Sequence, residues 1–187
     1  MKWNEYQEEF EKILNAESPS GIYAEDNMLN YTKLNEARQS RWLKKAELLP
    51  EMVSYLQKLQ QPQSWIVITE PWCGDASHIV PILHLLSEKS SKITIDFQLR
   101  DSGSEIDKYL TNGGKAIPIL IVRNEAGEDL FHWGPRPAAA QALYNTMKEN
   151  KLSMEDMKIG LQQWYNADKA VSLQQELLEH FQTAGKV

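Results

Sequence analysis

Residues 65–76 read Trp65-Ile66-Val67-Ile68-Thr69-Glu70-Pro71-Trp72-Cys73-Gly74-Asp75-Ala76. The first five are β-branched or bulky and nearly all apolar, the composition of a strand covered on both faces, and they predict a central parallel strand. After the polar turn, apolar residues at Ile79, Val80, Leu83, Leu85 and Leu86 resume at helical spacing. The cysteine therefore falls in the turn where a buried strand hands over to a helix, a place where functional side chains concentrate.

Working outward, the chain continues with a predicted strand over 93–99, a short helix from about 104 to 110, and a strand over 117–122 introduced by Gly113-Gly114. A turn at 124–129 leads into a strand over 130–133, and a helix follows from about 138 to 147. The order is βαβαββα, which predicts an α/β fold with a central mixed sheet and helices on both faces. Upstream, residues 1–60 are polar with helically spaced apolar positions, and breaks at Pro19, Gly21 and Leu49-Pro50 divide them into three helices. The stretch Gln60-Gln61-Pro62-Gln63-Ser64 separates this N-terminal helical extension from a central domain over 61–150. Residues 151–187 carry two further amphipathic patterns, a C-terminal helical extension.

The composition is that of a folded globular chain: 187 residues, 42% hydrophobic and 25% charged. A net charge of −6, without any run of Lys or Arg, lacks the footprint that phosphate backbones or anionic lipid require, so nucleic acid is not expected as a partner. No apolar run approaches the ~20 residues of a membrane-spanning helix. One cysteine rules out an intramolecular disulfide. The opening Met1-Lys2-Trp3-Asn4-Glu5 contains no apolar signal core, so the expected compartment is the reducing cytoplasm.

The run Trp72-Cys73-Gly74 resembles the WCGPC active-site motif of the thioredoxin superfamily, and here it extends to Trp-Cys-Gly-Asp-Ala. A second marker, Ala116-Ile117-Pro118-Ile119-Leu120, is similar to the Ile-Pro-Thr-Leu segment of that superfamily. The resemblance spans roughly half the chain and looks closest to bacterial monothiol thioredoxin family proteins with flanking helices. It implies a thioredoxin-like fold with Cys73 as the reacting thiol, Pro118 in the cis form beside it, and the Ile117 backbone available to pair with an incoming chain. Two departures bear on one step. Ala76 stands where the family has its resolving cysteine, and Val67 stands where it has the buried acid that serves that cysteine. Without the second thiol, a mixed disulfide is cleared only by an external one. The resemblance thus implies a monothiol protein that forms mixed disulfides with a protein or a low-molecular-weight thiol and needs no cofactor. The alternative is a redox-inactive interaction module using the same surface.

A helix N-terminus stabilises a thiolate, so Cys73 is expected to be more acidic than a free cysteine, although Asp75 opposes this with a nearby negative charge. The bland reading makes Cys73 a small residue at a helix cap. Trp72, Gly74, Asp75, Ile117 and Pro118 are expected to border the partner. Asp75 otherwise reads as an ordinary helix-start residue, Trp72 as a surface aromatic and Glu70 as a solvated loop charge. His78, His84, His132 and His180 have no second ligand at metal spacing and read as structural or exposed, with His132 as a conceivable general base for Cys73. Arg136, in the proline-rich loop after the last strand, is placed to hold an acidic group of a partner. Met157, Trp164 and Tyr165 read as the buried face of a closing helix, with a binding groove there as the lesser reading.

Overall fold

A computed structural model describes residues 1–184. Seven helices and four strands alternate as α1 (Trp3–Leu14), α2 (Asp26–Lys45), α3 (Pro50–Gln57), β1 (Gln63–Thr69), α4 (Ala76–Ser87), β2 (Ile93–Leu99), β3 (Ile119–Arg123), β4 (Asp129–Trp133), α5 (Ala138–Glu149), α6 (Met154–Asp168) and α7 (Val171–Ala184). The sheet order is β2-β1-β3-β4, with helices on both sides. This is a thioredoxin-like α/β fold.

β1 is central, and Trp65, Val67, Ile68 and Thr69 have no solvent exposure, which is why the strand reads as a continuous apolar run. Its parallel character is only half realised. The crossover through α4 brings β2 alongside in parallel, whereas β3 runs antiparallel to β1, with Val67 opposite Leu120. β3 turns into β4 through residues 124–128, where Gly127 supplies a positive φ of 80°. The helix expected over 104–110 is a single 3₁₀ turn, Ile106–Lys108. Only Ile106 and Tyr109 of that segment are buried, too little apolar surface to hold a longer helix down.

Helices from both ends share one core with the sheet. At β2, the Tyr6 ring of α1 stacks on Phe97 with centroids 5.3 Å apart, and the Phe97 N–H donates to the Met1 carbonyl at 2.8 Å. α7 lays Phe181 on Trp65, 5.5 Å between centroids, and edge-on to Phe131 of β4. α2 lies against α4, and the Trp42 indole N–H donates to His78 Nδ1 at 2.9 Å. Among the described residues no helix is long and apolar enough to cross a membrane.

Phe181 joins three aromatic neighbours at 1% exposure, so its loss leaves a void between α7 and the sheet. Phe181→Ala is expected to cost about 3–5 kcal/mol of unfolding free energy by urea titration; a loss below ~1 kcal/mol would show that α7 does not complete the core.

Candidate functional site

The turn after β1 is held by backbone bonds, the Cys73 N–H donating to the Glu70 carbonyl at 3.1 Å and the Cys73 carbonyl accepting from Ser77 at 3.2 Å. The Cys73 side chain is 7% exposed, and its Sγ–H donates to the Ile117 carbonyl at 3.4 Å. Only the protonated sulfur donates such a bond, so this contact favours the thiol. Burial pushes the Cys73 thiol up to about 12, and the Asp75 charge pushes the same way. The amides of Ala76 and Asp75 and the Arg136 charge pull it down without prevailing. This corrects the expectation of an acidified cysteine: the helix-terminal amides are present, but desolvation is the larger effect.

Asp75 occupies the N-cap position of α4, yet its side chain makes no capping bond. It is 8% exposed, with Oδ2 2.6 Å from the Arg136 guanidinium and Oδ1 accepting from the Tyr165 hydroxyl at 2.8 Å. An ordinary cap faces water; this carboxylate instead ties together the start of α4, the loop after β4 and helix α6. Arg136 is therefore committed to an internal acid rather than to a partner's, with Gln141 Oε1 accepting from it at 3.1 Å and Tyr144 under its plane. Glu70 is likewise not a solvated charge. It is 6% exposed, accepts the Asp101 N–H at 3.0 Å, and its carboxyl is raised by burial.

The Ile117–Pro118 peptide is cis, and both residues are buried. Gly134, at φ 126°, packs against this segment; a Cβ there would lie 2.3 Å from the Pro118 carbonyl oxygen. Gly74 is required for a different reason. A Cβ on it would fall 2.2 Å from the Tyr31 hydroxyl, so the absence of a side chain lets α2 close over the turn. Trp72 is half-buried, with the Arg100 guanidinium 4.7 Å above its ring.

Several of these residues border a cavity of about 420 Å³. Cys73, Gly74, Asp75 and Ile117 line it, with Trp72 and Arg100. Much of the remaining wall comes from the flanking helices: Met28, Tyr31 and Arg38 from α2, and Met154, Met157, Lys158, Leu161, Gln162 and Tyr165 from α6, with Lys115, Ala116, Arg136 and Tyr144 adding to it. The expected site residues are thus brought together, apart from Pro118, which does not line the cavity. The α2 wall could not be read from the sequence, and the α6 wall only as the lesser reading of a pattern that fits core equally; Met157 and Tyr165 line the cavity and Trp164 does not. α6 is both a closing helix and one side of a groove.

His78 lines the same cavity although it lies off the cysteine's helical face. Nδ1 accepts from Trp42, so Nε2 carries the hydrogen and donates to Gln162 Oε1 at 3.2 Å, and the ring stacks on Tyr165 at 4.4 Å. Burial lowers its pKa to about 3, helped by the charges of Arg38 and Arg41. His132 is exposed on β4 and packs toward Tyr109, away from the cavity, so it does not reach Cys73.

A sheet of this order with a thiol in the turn after its central strand, facing the segment that precedes β3, defines the thioredoxin-like class. The Thioredoxin_9 family model, described as thioredoxin, matches residues 21–158, and the chain belongs to this family. Among solved structures, the chain is similar to an HIV 4E10 epitope scaffold at TM-score 0.58 and 16% identity, covering 82% of this chain and 90% of that one. It is also similar to a protein of unknown function from Pseudomonas aeruginosa at TM-score 0.50 and 13% identity, covering 76% and 86%. At these identities the likeness is one of fold. No curated protein matches the chain.

Two consequences are measurable. The His78 pKa is depressed in the fold, so the unfolded chain takes up a proton below about 6.5 that the folded one refuses until about 3. Stability is full above the upper value and is expected to fall with acidification across that window by up to about 1.4 kcal/mol per pH unit. His78→Gln should flatten the slope in urea titrations from pH 7 to 4; an unchanged slope would assign the loss to other groups. Gly74→Ala should force Tyr31 out of its seat and destabilise by about 1–3 kcal/mol by the same measurement.

Proposed function

We propose that this protein is a monothiol thioredoxin-like protein that forms mixed disulfides through Cys73 with a protein or small-thiol partner in a reducing, cytoplasmic setting. The observation that carries this reading is that the chain's one thiol lines a cavity of small-molecule size, against the Ile117 carbonyl. In the reaction the Cys73 thiolate attacks a partner disulfide R–S–S–R′. The Cys73–S–S–R bond forms as the R–S bond to R′ breaks, R′–S⁻ leaves with the electron pair, and an external thiol later reverses the step. Trp72, Gly74, Asp75 and Ile117 border the incoming sulfur, and Pro118 fixes the segment on which Ile117 sits.

With burial and the Asp75 charge pushing the thiol up to about 12, the thiolate is a very small fraction at pH 7. Exchange at the resting site is slow on this basis, and Asp75 is the charge whose removal most directly speeds it. The same observation favours a second reading, a redox-inactive interaction module in which Cys73 is a packed side chain and the cavity rim is the contact surface.

Alkylation of the single cysteine separates them. The native rate should climb through pH 10 without a plateau, and Asp75→Asn, verified as folded by circular dichroism, should raise the pH 7 rate about tenfold or more by deleting the repulsive charge and freeing Arg136. Incubation with an oxidised small disulfide should add one adduct by mass, absent in Cys73→Ser. No adduct on folded protein up to pH 9, with partner capture unchanged by Cys73→Ser, would establish the second reading.

A further inference from the structure

Five basic side chains line the cavity, in a chain whose net charge is −6. Three are neutralised within the protein. Arg136 pairs with Asp75, Arg100 with Asp101 at 2.8 Å, and Lys115 with Asp107 at 2.8 Å. The other two, Arg38 and Lys158, have no carboxylate partner among the described residues. They come from helices on different sides of the cavity, α2 and α6, and converge on one ring. The Arg38 guanidinium carbon lies 5.2 Å and the Lys158 Nζ 4.4 Å from the Tyr31 centroid. The hydroxyl of that ring rests over Gly74, the residue after the cysteine.

Arg38 also donates to Asn35 Oδ1 at 2.8 Å, and the two cations, from separate elements and without carboxylate partners among the described residues, are placed beside an apolar cavity where an anion could meet both. The dimensions select the occupant. Cys73 and Ile117 are 7% and 5% exposed, too covered for a folded partner to lay a strand against Ile117, whereas a cavity of about 420 Å³ is of small-molecule size. We infer that the cavity binds a carboxylate-bearing thiol of di- or tripeptide size as its disulfide, with acid groups on Arg38 and Lys158 and a disulfide sulfur directed at Cys73, so that the second half leaves as the thiolate when the mixed disulfide forms. This rests on the mixed-disulfide reading for the fate of the sulfur, while the binding of the anion does not require it.

The test uses the full chain carrying Cys73→Ser and two thioether probes that cannot exchange, S-methylglutathione and N-acetyl-S-methylcysteine, followed by calorimetry. At least one probe should bind, more weakly as salt is raised. Its affinity should fall at least about tenfold in Arg38→Gln/Lys158→Gln, and its methyl ester should bind no better than that variant does. Absence of binding by both probes to folded protein, or equal binding by acid and ester, overturns the inference. Retained affinity in the double variant also overturns it. Probe binding without any adduct on the native protein would leave the inference standing and remove the mixed-disulfide reading; an adduct with a protein disulfide and no probe binding would do the reverse.

Discussion

A buried carboxylate organises this molecule. Asp75 is withdrawn from water at the start of α4, and a charge in that position persists only where it is paired and hydrogen-bonded. Arg136 and Tyr165 supply both, from the loop after β4 and from α6. The pairing fixes α6 against the start of α4, and so where one cavity wall stands. It also places a fixed negative charge beside the sulfur, which, with burial, keeps the cysteine protonated. Architecture and reactivity are therefore set by one group.

A second layer of constraint surrounds the first. His78, neutral and bonded on both nitrogens, links α2 through Trp42 to α6 through Gln162 while stacking on the tyrosine that donates to Asp75. Gly74 lets Tyr31 approach the turn from the other side. The two helices that enclose the site are thus tied to the thiol-bearing turn itself as well as to the general core, and a change at either helix is felt at the cysteine.

The sheet was legible because its signals are local. The β-branched run at 65–69, the apolar period after it and the glycines before β3 each state their element within a few residues. That the sheet is mixed followed from the closing hairpin and the thioredoxin resemblance rather than from β1 itself, since a central strand looks the same in either surrounding. The thiol's environment was misread for a related reason. A helix N-terminus is visible in sequence, but the burial that outweighs it depends on segments far along the chain, the one bearing the Ile117 carbonyl among them. The same distance hid the commitments of Asp75 and Arg136, each an ordinary surface residue by type. Tyr31, Arg38 and Lys158 carried no signal at all, because a helix written for packing and a helix written to line a cavity use the same aromatic and methionine positions.

The division of labour between the thiol-bearing turn and the enclosing helices has a bearing on how such a protein diversifies. The sulfur and the Ile117 carbonyl belong to the central sheet and its turns, where most positions are buried and substitution is costly. Much of what a visiting molecule touches first comes from α2 and α6, whose outward positions tolerate change. Selectivity can therefore drift through residues such as Arg38, Met154 and Lys158 while the scaffold beneath stays the same, and relatives with an identical cysteine turn are free to serve molecules of quite different charge.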